Sequence, residues 1–412
     1  MSRSGSIALA ICCFLAAAGG GFLIGRTTAS PAATGAPDAA DTSDLVDRIT
    51  PPNRLATLGY IDSAPVADPS RRGVVIHRRD AATPGLNLHY SRTRSSARLI
   101  DNEGDTVWTW SYEVEGGWSH AELLPDGGLL VVAERELLRL TPRSQPVWRT
   151  PGGFHHALDV SGDRVYALRH LPISAPEPGL AGERILADRI EVLDLATGAG
   201  LESIDLIDVV LGSPYRWLVE RPAPPQRESP LTVVDLLHAN DVQRIAADHP
   251  NAPPALRGSL LVSLRQLSAV VALDERREIS WIWGPGILFA QHDPTLLPSG
   301  NLLVFDNGVE RSRVLELDPS RYQIVWQYSA PDLFTRTRGS VQRLISGHTL
   351  ITESNDGRVV EVTPDGEIVW EFLNPDMTAD GERLVLWRMV RFGREQLQAF
   401  PDELLDRVFG PS

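Results

Sequence analysis

Glu361-Val-Thr363-Pro-Asp-Gly-Glu-Ile-Val-Trp370-Glu-Phe372 reads as a strand, a tight Pro-Asp-Gly turn and a second strand carrying an aromatic pair. The same design recurs upstream. Leu99-Ile-Asp101-Asn-Glu-Gly-Asp-Thr-Val-Trp108-Thr-Trp110, Thr141-Pro-Arg-Ser-Gln-Pro-Val-Trp148 and Ala272-Leu-Asp274-Glu-Arg-Arg-Glu-Ile-Ser-Trp281-Ile-Trp283 keep the interval from Asp or Thr to Trp. Glu316-Leu-Asp318-Pro runs to Trp326-Gln-Tyr328 with one residue more, and Ile190-Glu-Val-Leu-Asp194-Leu-Ala-Thr-Gly198 is a degenerate copy without the Trp. Where no insertion intervenes the copies stand about 40–45 residues apart, the length of a four-stranded propeller blade.

The other half of the blade repeats too. Leu123-Leu-Pro-Asp-Gly127, Leu296-Leu-Pro-Ser-Gly300 and Leu344-Ile-Ser-Gly347 each precede a short apolar strand, as a hairpin with a Gly turn requires. Six copies predict an all-β fold, a six-bladed β-propeller over 57–393, with the stretch 383–391 returning to close the ring and remove an exposed sheet edge. The Pro-rich insertion from Arg221 to Pro230 falls in the long gap between Asp194 and Asp274, where a seventh blade would also fit. Residues 394–412 read as a helical tail. The Trp series reads as packing between blades.

The 412 residues carry a net charge of −14, and 34 Gly and 31 Pro suit many short strands joined by turns. The charge argues against broad attraction to nucleic acid. No lysine occurs, which excludes a Schiff base and a P-loop. An apolar run from Ile7 to Ile24, flanked by Arg3 and Arg26, marks residues 1–26 as a signal anchor or signal peptide. Residues 27–56, rich in Ala, Thr, Ser, Pro and Asp, read as a disordered linker. The expected location is the periplasmic side of the inner membrane, with membrane contact through the N-terminal segment. Cys12 and Cys13 are the only cysteines and lie inside the apolar run, so the exported part has no disulfide and no thiol nucleophile.

In a propeller the innermost strands all begin around one axial opening, and the loops after the second strands reach the same face. That face should gather His120, His155, His156, His238 and His292 from the inner strand starts, with Ser340 and Gln342 from the sixth blade. The loops add Arg265, Asn307 and the run Glu353-Ser354-Asn355. Each has a plainer reading. A histidine at a strand start can bond a neighbouring carbonyl, Arg265 can clamp Asp293 or Asp306, and Asn307-Gly308 is turn chemistry. His77, His89, His170, His249 and His348 fall off the register and read as surface or packing residues. Neutral imidazoles beside one guanidinium suit transfer of an anionic group: imidazole is nucleophilic near neutral pH, and arginine offers a fork of donors to equatorial oxygens. Protonation of the nucleophile should then slow transfer in acid.

His238-Ala-Asn240, Ser263-Leu-Arg265, Gln291-His292-Asp293, Gly300-Asn-Leu-Leu-Val-Phe-Asp-Asn-Gly308 and Gly339-Ser-Val-Gln342 resemble the arylsulfate sulfotransferase (ASST) family over roughly 70–392. The resemblance implies a PAPS-independent ping-pong enzyme with no cofactor and no metal. A histidine takes the sulfuryl group from a phenolic sulfate ester and passes it to a phenol. By motif, His292 is the sulfated nucleophile, His238 and Arg265 bind the sulfuryl oxygens with help from Asn240, and His156 assists proton transfer. His120, His155, Gln342 and Asn307 are expected around the substrate. The chain departs from well-known members in lacking an extra N-terminal β-domain and a disulfide. A metal- or quinone-binding envelope propeller and a non-catalytic assembly propeller are the competing readings of the same funnel.

Overall fold

The second strand of a blade is apolar on both faces, as a strand buried between two neighbouring blades requires. Leu129–Ala133 is buried along its whole length. Its Leu129, Val131 and Ala133 pack toward the preceding blade, and its Leu130 and Val132 pack toward the following one. A computed structural model describes residues 61–91, 93–174, 184–220 and 233–411. The expected signal segment and linker over 1–56 lie outside these residues, and so does most of the Pro-rich insertion.

The strands form six antiparallel blades, as the repeat predicts. Blade 1 is ordered Leu386–Phe392, Leu86–Ser91, Ser96–Ile100, Thr106–Ser111, so a strand from late in the chain supplies its inner edge. Blade 2 comprises Trp118–Leu123, Leu129–Ala133, Glu136–Leu140 and Pro146–Pro151. Blade 3 comprises Phe154–Ser161, Arg164–Ser174, Arg184–Asp194 and Gly200–Asp205, with Val233–Asp235 added in parallel to the third strand. Blades 4 and 5 start at Ala239–Arg244 and His292–Leu296. Blade 6 starts at Ser340–Arg343 and ends on Ile368–Leu373, against which Gly73–His77 adds a fifth, outermost strand. The gap that left room for a seventh blade holds two short helices among its described residues, Leu206–Leu211 and Trp217–Glu220.

Six apolar clusters fill the six interfaces between blades. One of them, between blades 1 and 2, also takes in Leu397, Phe400 and Leu405 from the segment after the last blade strand, which includes the helix Asp402–Phe409. The repeat tryptophans lie in these interfaces and do a second job. Trp108 Nε1–H donates to the Pro142 carbonyl of the next blade's turn at 3.1 Å, Trp148 to Leu195 at 3.0 Å, Trp281 to Pro319 at 3.1 Å, Trp326 to Pro364 at 3.0 Å and Trp370 to Asn102 at 2.9 Å. The last of these joins blade 6 to blade 1. Blade 3, the degenerate copy, has no such Trp; its Glu202 forms a two-pronged pair with Arg277 in the blade 4 turn at 2.8 Å.

Inner strands are tied in a similar way. A side chain of one inner strand accepts a backbone N–H of the next: Asp159 from Arg244 (2.7 Å), Gln243 from Leu296 (2.8 Å), Asp293 from Val341 (2.7 Å) and Gln342 from Arg391 (2.8 Å). Four of the six seams around the funnel are therefore tied by hydrogen bonds between inner strands.

Candidate active site

The inner strands of blades 3, 4 and 5 are bulged at their starts, between Phe154 and Leu158, Ala239 and Asp241, and His292 and Thr295. The bulge turns side chains toward the axis. His156 and His238 sit in the left-handed region at φ 54° and 48°, a conformation that costs a non-glycine residue about 1 kcal/mol or more. All six blades contribute to one cleft of about 410 Å³. Its lining includes Trp387, His120, His156, Asn240, His292 and Arg338, one from each blade in turn.

His292 is buried and held at both nitrogens. Its Nδ1 lies 2.7 Å from Asn307 Oδ1, and the Arg338 backbone N–H donates to its Nε2 at 3.2 Å. The Asn307 amide nitrogen donates to the carbonyls of Thr335 (2.8 Å) and Arg338 (2.7 Å), so its oxygen must be the atom facing His292. His292 therefore carries its hydrogen on Nδ1 and a lone pair on Nε2. Burial, followed by the nearby Arg265 guanidinium, holds its pKa well below the ordinary histidine value, so the ring is neutral at neutral pH.

His156 and His238 meet edge to face with centroids 4.9 Å apart. Burial and then His238 depress the pKa of His156 well below the ordinary value. His238 Nδ1 lies 2.5 Å from Asp235, which orients the ring. Arg265 opens the short 3-10 turn after the second strand of blade 4, and its Nε is buried without a hydrogen-bond partner. Asp306 pairs with Arg313 at 2.8 Å and Asp293 with Arg388 at 3.3 Å, so neither clamps Arg265. Asn240 donates to the Gln291 carbonyl at 2.8 Å and leaves its buried oxygen without a hydrogen-bond partner. His156, His238, Arg265 and His292 are thus gathered within electrostatic reach of each other.

Other expected members fall elsewhere. Gln342 uses both ends of its amide on the Arg391 backbone, donating to the carbonyl as well as accepting the N–H, and it lines a separate cavity. It ties the seam between blades 6 and 1. Asn307 acts on His292 from behind. His120 does line the cleft, with Nδ1 3.3 Å from the Tyr90 hydroxyl and Nε2 3.4 Å from Glu122. His155 points away toward Asp188. His170, expected as a surface or packing residue, stacks on His155 with centroids 3.4 Å apart and planes 16° from parallel. Sequence reasoning also missed Arg338, whose guanidinium lies 4.2 Å over the Trp387 ring. The available signal for Arg338 was its place just before the sixth inner strand. Trp387 follows from the return of the last strand to blade 1.

A metal would find His155 Nε2, His170 Nε2 and an Asp188 oxygen within 4.8 Å of one another. The near-parallel stack sets the two imidazole lone pairs side by side in separate planes, and a shared ion needs them to converge.

Residues 176–375 match the family model of the arylsulfotransferases (ASST). The match covers just under half of the chain and points to the arylsulfotransferase family. The matched stretch contains His238, Arg265 and His292, and leaves out His156 and Trp387. No curated protein matches the chain in sequence. A protein of unknown function from Bacteroides caccae shares the fold at 12% identity and a TM-score of 0.52, over 75% of this chain and 99% of that one. A streptogramin B lyase structure matches at 11% identity and a TM-score of 0.43, over 80% of this chain and 96% of that one.

Proposed function

We propose that this propeller moves a sulfuryl group from a phenolic sulfate ester to a phenol through a sulfated His292. The observation that carries the reading is the fixed tautomer of His292. Asn307 pins the hydrogen on Nδ1, and the neutral ring offers its Nε2 lone pair at a cleft to which every blade contributes.

In the first half-reaction Nε2 forms a bond to sulfur as the S–O(aryl) bond breaks, and the aryloxide leaves with the electron pair. The Arg338 N–H gives up its bond to Nε2 and becomes a donor facing the sulfuryl oxygens. Arg265 and His238 stabilise the negative charge on those oxygens, and Asn307 accepts the Nδ1–H of the sulfated ring. In the second half-reaction the phenol O–H bond breaks with its proton passing to His156, the phenol oxygen attacks sulfur, and the S–N electron pair returns to Nε2. The burial of His292 favours this loose, charge-spread transition state over hydrolysis.

The test uses 4-nitrophenyl sulfate. The protein should release one nitrophenol per chain in a burst and gain the mass of one sulfuryl group. His292→Ala should retain the fold, as read by circular dichroism, and lose both signals. Undiminished burst and adduct in His292→Ala would sink the assignment.

A further inference from the structure

Behind His156, away from the cleft, lies a cluster that the proposed transfer chemistry does not use. Asp188, on the third strand of blade 3, is fully buried. One carboxylate oxygen accepts the Ala239 N–H at 3.1 Å. The other faces His155 Nε2 at 3.3 Å and His170 Nε2 at 3.2 Å. His155 Nδ1 in turn lies 2.7 Å from His156 Nδ1.

Proton accounting along this chain has one solution. Burial alone would raise the pKa of Asp188, but the two imidazoles outweigh it and hold the carboxyl below its ordinary range. Neither contact has hydrogen-bond geometry, but an ionised carboxylate at 3.2–3.3 Å repels an imidazole lone pair, so the two edges that face it carry hydrogen. His155 is neutral, because burial and then His170 push its pKa down to about 4. Its one hydrogen is therefore on Nε2, and its Nδ1 is an acceptor. The short Nδ1 to Nδ1 contact needs a hydrogen, and His156 must supply it. His170, stacked flat on His155, keeps that ring from turning over.

We propose that Asp188, acting through His155 and His170, is a positioning residue that fixes His156 with hydrogen on Nδ1 and its lone pair on Nε2. His156 lines the cleft and its Nδ1 edge is taken by His155, so this tautomer makes it the base for the acceptor phenol. The phenol O–H bond breaks, its proton goes to His156 Nε2, and the phenolate oxygen attacks the sulfur held by His292. The resulting imidazolium is stabilised by the Asp188 charge relayed through His155, and its extra proton leaves with the next aryloxide or to water. This inference rests on the transfer reading above.

The experiment compares wild type with Asp188→Asn in the full chain, using 4-nitrophenyl sulfate as donor and phenols of graded acidity as acceptors. General-base help is worth about 100-fold or more, and only to acceptors that arrive protonated. Asp188→Asn should therefore lose roughly 100-fold more rate with phenol itself than with a nitrophenol already ionised at the assay pH. The loss should fall on kcat, with KM held within about threefold. Equal slowing for every acceptor, or no slowing, overturns the proposal. Absence of a wild-type burst and adduct fails the transfer reading instead. A second measurement covers a variant that does not fold: nitrogen-15 spectra of histidine-labelled wild type should show His156 protonated at Nδ1, and protonation at Nε2 overturns the proposal. Stoichiometric divalent metal that is lost in His170→Ala does so as well.

Discussion

At the residue scale, the site works through histidines kept neutral by burial. The depressed pKa values of His292 and His156 have a direct consequence for pH dependence. An ordinary histidine near 6.5 would lose half its nucleophile at that pH. Here the folded-state pKa lies well lower, so His292, the proposed nucleophile, should stay unprotonated through pH 6.5, and transfer should fall only in more acidic solution. The pH profile of the adduct-forming step should be flat from 8 through 6, and an acid limb centred on 6.5 would contradict it. The same shifts carry a stability cost. The unfolded chain takes up protons at histidines near 6.5 while the native rings do not, so stability decreases as pH falls below that value.

At the element scale, the tryptophan of each repeat seals one interface and bonds the next blade's turn. Trp370→Phe keeps most of the apolar contact and strands the buried Asn102 carbonyl, which should cost about 1–3 kcal/mol in urea unfolding. Arg277→Ala breaks the substitute link from blade 3, but that pair is about one-third exposed and should cost under about 1 kcal/mol. Comparable losses in the two variants would refute the ranking. The repeat itself was legible because the Asp or Thr to Trp interval is a local property of a hairpin. The convergence of His156, His238, Arg265 and His292 followed from blade register. The partners of His170 and Gln342 escaped sequence reading for one reason. Both roles depend on partners in other strands, Asp188 for one and Arg391 for the other, which a count along the chain does not pair. Arg338 escaped notice because its backbone N–H, not its charge, touches His292.

At the scale of the whole molecule, the ring is stitched from two directions. Leu386–Phe392 supplies the inner strand of blade 1, and Gly73–His77 adds an outer strand to blade 6. The segment beyond is an accessory: ending the chain after Gly393 removes Leu397, Phe400 and Leu405 from the blade 1–2 interface. With roughly 1.5–3 kcal/mol for each large side chain buried, the truncated protein should melt lower while keeping the propeller's circular dichroism. Ending it after Val385 should instead yield no folded protein, since blade 1 loses its inner strand and the cleft loses Trp387 and Arg388. Folded, transfer-active material from the shorter truncation would contradict the closure argument.

That closure also orders events during synthesis. Blade 5 is complete at Tyr328, well before the ribosome reaches Trp387, so four sectors can assemble while the cleft still lacks its last wall. A chain arrested part-way holds the nucleophile without the finished enclosure around it. On the transfer proposed above, sulfuryl chemistry would be withheld until the final strand docks.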